Sequence, residues 1–150
     1  MFISNGVKML EIRMEVMGKP GVIYPTLICN DKDVVLVDTG FPGEKGISKL
    51  KQEMLSSGIS FDLIKKVILT HQDLDHIGGL PSIIKELEHK IHVLSHEKEK
   101  TYIQGEKRLI KITDEVLAQL ESLPNEWKNE LMPVFENPPK ANVDKVLVDE

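Results

Sequence analysis

The chain is poor in several features, and each absence excludes something. It has one cysteine, Cys29, in 150 residues, so there is no internal disulfide, and a reducing compartment suits it. It has no basic stripe to offset a formal charge of −5, which argues against nucleic acid as a partner. It has no apolar run long enough to cross a bilayer. The opening Met1-Phe2-Ile3-Ser4-Asn5-Gly6 lacks a basic segment followed by an apolar one, so no signal peptide is expected. These readings together lead us to expect a cytoplasmic protein with no membrane partner. Internal repeats and low-complexity tracts are absent, and no histidine follows His96. What remains is ordinary: 41% hydrophobic and 29% charged residues, enough for one domain with a core.

The hydrophobic pattern alternates between strand and helix. Val22 to Cys29 is β-prone and broken by Pro25, as an edge or bulge would be. Asn30-Asp31-Lys32-Asp33 reads as a turn. Val34-Val35-Leu36-Val37 is an unbroken apolar run that ends in Asp38-Thr39-Gly40, a strand buried on both faces. Glu44 to Ser57 fits a helix with Ile47, Leu50 and Met54 on one side and Gly58 just past its end. Ile64 to Thr70 is the next strand. Leu80, Ile83, Ile84 and Leu87 then give a helical stripe with Pro81 in its first turn, and Ile91 to Leu94 is another short strand. This is an α/β pattern. Glu97-Lys98-Glu99-Lys100 reads as a solvated charge run. Thr113 to Leu123 fits a helix capped by Thr113, with Val116, Leu117 and Leu120 inward. Pro124, Pro133, Pro138 and Pro139 punctuate the rest, and Lys145 to Val148 reads as a strand beginning.

Between the third strand and its helix lies the densest chemistry in the chain: His71-Gln72-Asp73-Leu74-Asp75-His76, followed by Gly78-Gly79. All four His and Asp side chains are donors to divalent metals. The loop sits at the carboxyl end of a strand, where α/β proteins place their sites, and the glycine pair lets the backbone bend away. In a curled loop, alternate side chains face one ion and the others a second. Two ions about 3.5–4 Å apart lower the pKa of a shared water toward roughly 7 and polarise a carbonyl or phosphoryl oxygen, which is hydrolytic chemistry. A calcium loop is the competing reading; it fails at Ile77 and at Ile84, where a bidentate Glu belongs. A turn whose acids cap the next helix is the plainest alternative, but a cap needs one acid.

Thr70-His71-Gln72-Asp73-Leu74-Asp75-His76-Ile77-Gly78-Gly79 resembles the H-x-[HD]-x-D-H signature of the metallo-β-lactamase superfamily, and Val35-Leu36-Val37-Asp38-Thr39-Gly40 resembles that family's strand ending in Asp-Thr-Gly. The resemblance covers residues 20 to 95 well and 96 to 150 loosely. It implies an α/β (α+β) protein built as an αββα sandwich, of which this chain is the N-terminal half. Residues 1–150 would be the N-terminal part of a single domain, with 97–140 a variable region near the substrate cleft. By the resemblance His71 and Asp73 serve a first metal, and Asp75 and His76 a second. Asp75 also handles a proton and is the catalytic residue, while Asp38 orients a ligand histidine or the metal water. One or two divalent metals are implied, zinc first, with manganese or iron as alternatives.

The sequence departs from the family twice. Histidine is commoner at the Asp73 position, and aspartate is a harder, negatively charged donor that favours manganese or iron. The family's later ligands are two histidines and a bridging aspartate, and no histidine follows His96. The expectation is therefore a metal-dependent hydrolase of thioesters, lactones or related esters, whose truncated chain is inactive by itself. The alternative is a non-catalytic half-domain acting as a binding or assembly module. The partners expected are a small-molecule substrate and a second copy covering an inner face that includes Val35, Val37, Val67 and Leu69. His89, His92 and His96 match no ligand position, though His96 has a place near the cleft. Cys29 reads as a core residue and Trp127 with Leu131 as packing. No residue, Tyr102 and Arg108 included, is assigned to substrate.

Overall fold

The structure, a computed structural model, describes the backbone of residues 2–4 and the whole of residues 6–150. Its main sheet has seven strands: β1 (Phe2–Ser4), β2 (Val7–Met9), β5 (Thr26–Cys29), β6 (Val34–Val37), β7 (Ile64–Leu69), β8 (His92–His96) and β9 (Lys145–Leu147), in that spatial order. The first four pair antiparallel and β6 through β9 pair parallel. A separate hairpin, β3 (Ile12–Val16) and β4 (Lys19–Ile23), lies beside it. The parallel strands need crossovers. The first is α1 (Gly43–Ser56); the second holds α2 (Leu74–Ile77) and α3 (Leu80–Glu86); the third holds α4 (Glu97–Ile103), α5 (Asp114–Glu121) and α6 (Asn125–Glu136). Among the described residues no helix is long and apolar enough to cross a membrane.

One face of the sheet is covered. Leu27 pairs with Leu36, Leu36 with Val67 and Val67 with Val93, and these join Ile47, Leu50, Met54, Leu80 and Ile83 in a single buried cluster. The opposite face carries Ile28, Val35, Lys66, Ile68 and Leu94. Ile28 is 43% exposed and Val35, Val37, Ile68 and Leu94 are half-buried. This corrects the sequence reading in two ways. Val34-Val35-Leu36-Val37 is not buried on both faces. Val67 and Leu69 also do not share the open face with Val35 and Val37, because they are 0% and 1% exposed and point into the core. A register irregularity between Val34 and Val35 shifts the alternation of β6 relative to β7, and periodicity in one strand cannot reveal that.

Two further readings change. Glu97-Lys98-Glu99-Lys100 is the start of α4, capped by the His96 side chain, which accepts from the Lys98 N–H at 3.2 Å. Pro133 does not end a helix but sits in the last turns of α6. There it has no N–H to donate to the carbonyl four residues back, and its ring crowds that turn. The expected Thr113 cap is present and accepts from Val116 N–H at 3.2 Å.

Candidate metal centre

The ends of β6 and β7 meet side by side, with Asp38 N–H donating to Ile68 C=O at 2.8 Å. Beyond them the chain turns sharply at Asp38, whose φ of 61° is left-handed, a conformation that Asp tolerates better than most residues. That turn aims the Asp38 carboxylate back at the loop after β7. Its Oδ1 accepts from Thr70 N–H at 2.9 Å. Its Oδ2 accepts from the Thr70 hydroxyl at 2.7 Å and lies 2.8 Å from His76 Nδ1.

This network orients both imidazoles. A carboxylate only accepts, so His76 Nδ1 carries a proton toward Asp38. The Thr70 hydroxyl spends its proton on Asp38, so its oxygen accepts from His71 Nδ1, 2.8 Å away. His71 Nε2 faces Asp73 Oδ2 at 3.3 Å, while His76 Nε2 faces Asp75 Oδ2 at 3.8 Å. The two rings lie 4.1 Å apart between centroids. The loop thus presents two His/Asp pairs side by side, each imidazole held through Nδ1 and offering Nε2, as metal-binding histidines are held. Among the described residues no three His, Cys, Asp or Glu side chains converge on one point. The chemistry of the four donors fits divalent ions.

The glycine pair works differently from the sequence reading. Neither Gly78 nor Gly79 has a positive φ; φ is −58° and −81°. They are needed for close approach. A Cβ at Gly78 would lie 2.3 Å from Pro42 N, and one at Gly79 2.4 Å from Thr39 O. The approach lets Thr39 grip α2: its N–H and hydroxyl donate to His76 C=O at 2.7 and 2.8 Å, and the same hydroxyl accepts from Gly79 N–H at 3.1 Å.

Several participants carried no clear signal in the sequence. Thr70 bridges Asp38 and His71; its place just before the motif was the only cue. Gln72, 4% exposed, donates through N–H and Nε2 to Glu99 Oε2 at 3.0 and 3.4 Å, and its Oε1 accepts from Ile110 N–H at 2.6 Å. Lys111 donates to Asp73 Oδ2. Burial raises the Asp73 carboxyl, but the Lys111 ammonium and then His71 outweigh it and hold it below the usual carboxylate range. Burial pushes the Cys29 thiol up. His89 Nε2 lies 2.7 Å from Ile64 C=O and His96 Nε2 3.4 Å from Asp149. Neither bonds to the loop donors, and His92 is exposed. Arg108 pairs with Asp114 at 2.8 Å.

An apolar cavity of about 580 Å³ opens beside Asp75, walled by Met14, Val16, Phe41, Leu74, Trp127 and Leu131. Trp127 and Leu131 line this space, so they do more than pack against each other.

If the Asp38 network sets the imidazoles, Asp38→Asn should weaken divalent binding by about 10–100-fold. The amide either loses one acceptor or turns a donor toward His76 Nδ1, which moves the proton to Nε2. Zinc titration together with imidazole ¹⁵N shifts checks this; unchanged affinity and tautomer would refute it.

A model of the metallo-beta-lactamase superfamily matches residues 18–142. Over 75 residues the chain is 33% identical to an atrochrysone carboxyl ACP thioesterase of Pseudocercospora fijiensis, covering 49% of this chain and 22% of that protein. Over 84 residues it is 30% identical to the probable metallo-hydrolase YybB of Bacillus subtilis, covering 56% and 34%. The fold matches the native FEZ-1 metallo-beta-lactamase of Legionella gormanii with a TM-score of 0.63 at 15% identity, over 99% of this chain and 45% of that one. It matches the metallo-beta-lactamase family protein TTHA1429 of Thermus thermophilus with a TM-score of 0.62 at 19% identity, over 95% and 46%. The chain thus spans less than half the length of each of these relatives.

Proposed function

The chain belongs to the metallo-beta-lactamase superfamily, and on that premise we propose that it supplies the metal-binding loop of a hydrolase acting on a thioester, a lactone or a related ester. The observation that carries this reading is the pair of imidazoles with Nδ1 tied and Nε2 turned toward an aspartate. His71, Asp73, Asp75 and His76 would hold a divalent ion there, which would supply Lewis acidity toward a carbonyl. The residues of the chain do the rest. Asp38 and Thr70 fix the two rings, and Asp75 holds or passes a proton at the mouth of the cavity. The apolar walls exclude water from the acyl portion of the substrate. Both the cavity and the thioesterase named among the relatives favour an acyl ester.

Two donors per ion fall short of the three that a catalytic zinc has. We therefore propose that turnover needs donors beyond this loop, and that the chain alone is weakly active or inactive. The open sheet face around Ile28 and Val35 favours a second reading, a half-domain that assembles with another copy. One experiment addresses both. Aryl esters, acyl thioesters and lactones are assayed with zinc or manganese and with chelator, on this chain and on any longer chain containing it, with solution mass measured alongside. Turnover that is lost with chelator supports the hydrolase. Metal-independent turnover refutes it, and a dimer that binds metal without turnover favours the assembly reading.

A further inference from the structure

We propose that Lys111 is the resident cation of the His71/Asp73 half of the centre, holding Asp73 until a divalent ion displaces it. The inference rests on the reading of the loop as a metal site, and it concerns a residue of the region between α4 and α5 that the motif does not include.

The placement is specific. Lys111 Nζ donates to Asp73 Oδ2, and that same oxygen faces His71 Nε2 at 3.3 Å. The ammonium therefore sits on the oxygen that an ion between His71 and Asp73 would use. A long exposed side chain alone would be weak ground, since surface ion pairs form easily and contribute little. Here the backbone determines where the lysine starts. Leu109 and Ile112, on either side of it, are buried at 5% and 3% exposure. Between them Ile110 N–H is bonded to Gln72 Oε1 at 2.6 Å. Gln72 stands between His71 and Asp73 in the loop itself, so the segment bearing Lys111 is fastened to the segment bearing the donors. Glu99 of α4 secures Gln72 from the other side.

The charges explain why a cation is useful there. Asp73 and Asp75 lie in one turn, and Asp38 is bonded to His76 of the same turn. A lysine ammonium offsets the repulsion between the carboxylates without a metal. It also competes for Oδ2, because an ammonium and a divalent ion on one oxygen repel each other. Loading of this half is thus coupled to release of Lys111. The Asp75/His76 half has no such competitor bonded to Oδ2 of Asp75 among the described ion pairs.

The test compares wild type, Lys111→Met and Lys111→Arg by zinc titration against a chromophoric chelator, and by mass-spectrometric rates of lysine acylation with and without zinc. Lys111→Met keeps the stem and removes the charge, and the side chain is 77% exposed, so the fold is expected to survive. The expected result is tighter binding of one ion in Lys111→Met by about tenfold, within the range that partners of metal ligands control. Lys111→Arg should stay near wild type. Acylation of Lys111 should speed up severalfold when zinc is added, while Lys51, paired with Glu86 away from the loop, keeps its rate. Equal or weaker zinc binding in Lys111→Met, or a Lys111 acylation rate that zinc does not change, overturns the proposal and leaves the metal reading standing. Absence of zinc binding in all three proteins overturns the metal reading, and this inference with it.

Discussion

In a longer chain that supplies the remaining donors, Asp75→Ala should lower metal-dependent hydrolysis by about 10²–10⁴-fold, the range for losing a positioned proton-transfer group, and should also remove one bound ion. Asp75 is in the first turn of α2, a helix gripped through His76 C=O by Thr39. Its direction is thus set by backbone contacts that the substitution leaves alone. Its Oδ2 lies 3.8 Å from His76 Nε2, and its side chain edges the apolar cavity. One carboxylate therefore belongs to the second donor pair and borders the apolar cavity. Alanine removes the donor and the proton acceptor together, with no buried partner left behind, since the side chain is 43% exposed. The measurements are kcat on the responsive ester, metal content by elemental analysis, and circular dichroism to confirm the fold. Unchanged kcat with unchanged metal content would show that Asp75 is neither ligand nor proton carrier.

The elements nearest the site were the most legible in the sequence. The apolar run ending at Asp38 and the one ending at Thr70 predict two strand ends, and their parallel pairing brings Asp38 to His76 as a consequence of topology. Thr113 as a cap follows from local rules, and so do Leu80 and Ile83 on the buried side of α3, but Ile84 of the same stripe is 43% exposed. Legibility falls where a contact depends on register or on long-range docking. Val35 and Val67 are neighbouring positions on adjacent strands, yet they face opposite sides because of one irregularity in pairing. Lys111 is 38 residues from Asp73, and its meeting with the loop depends on the Gln72–Ile110 hydrogen bond, which no local pattern announces. Glu99 read as one charge in a solvated run, but the approach of α4 to the loop gives it the Gln72 amide as a partner.

The glycine pair supplies the second large effect. Gly79→Val should destabilise the chain by about 3 kcal/mol or more, the upper range for overpacking against atoms that cannot yield. That corresponds to a fall in melting temperature of roughly 6–12 °C for a domain of this size. The first side-chain atom would lie 2.4 Å from Thr39 O and 3.3 Å from Thr39 C, both backbone. Relief requires α2 to lift away from residues 39–42. Lifting it breaks Gly79 N–H to Thr39 at 3.1 Å and both bonds from Thr39 to His76 C=O. Stability and metal affinity should therefore fall together, because the same contacts hold His76 in place. Gly58→Ala separates this from the conformational role of glycine. Gly58 has φ +73° and open space around its Cβ, so alanine there costs about 1–2 kcal/mol of left-handed strain and leaves metal affinity unchanged. Urea unfolding and zinc titration of both variants check the pair. Equal destabilisation, or a Gly79→Val protein that binds zinc like wild type, would show that α2 is not held in place through Thr39.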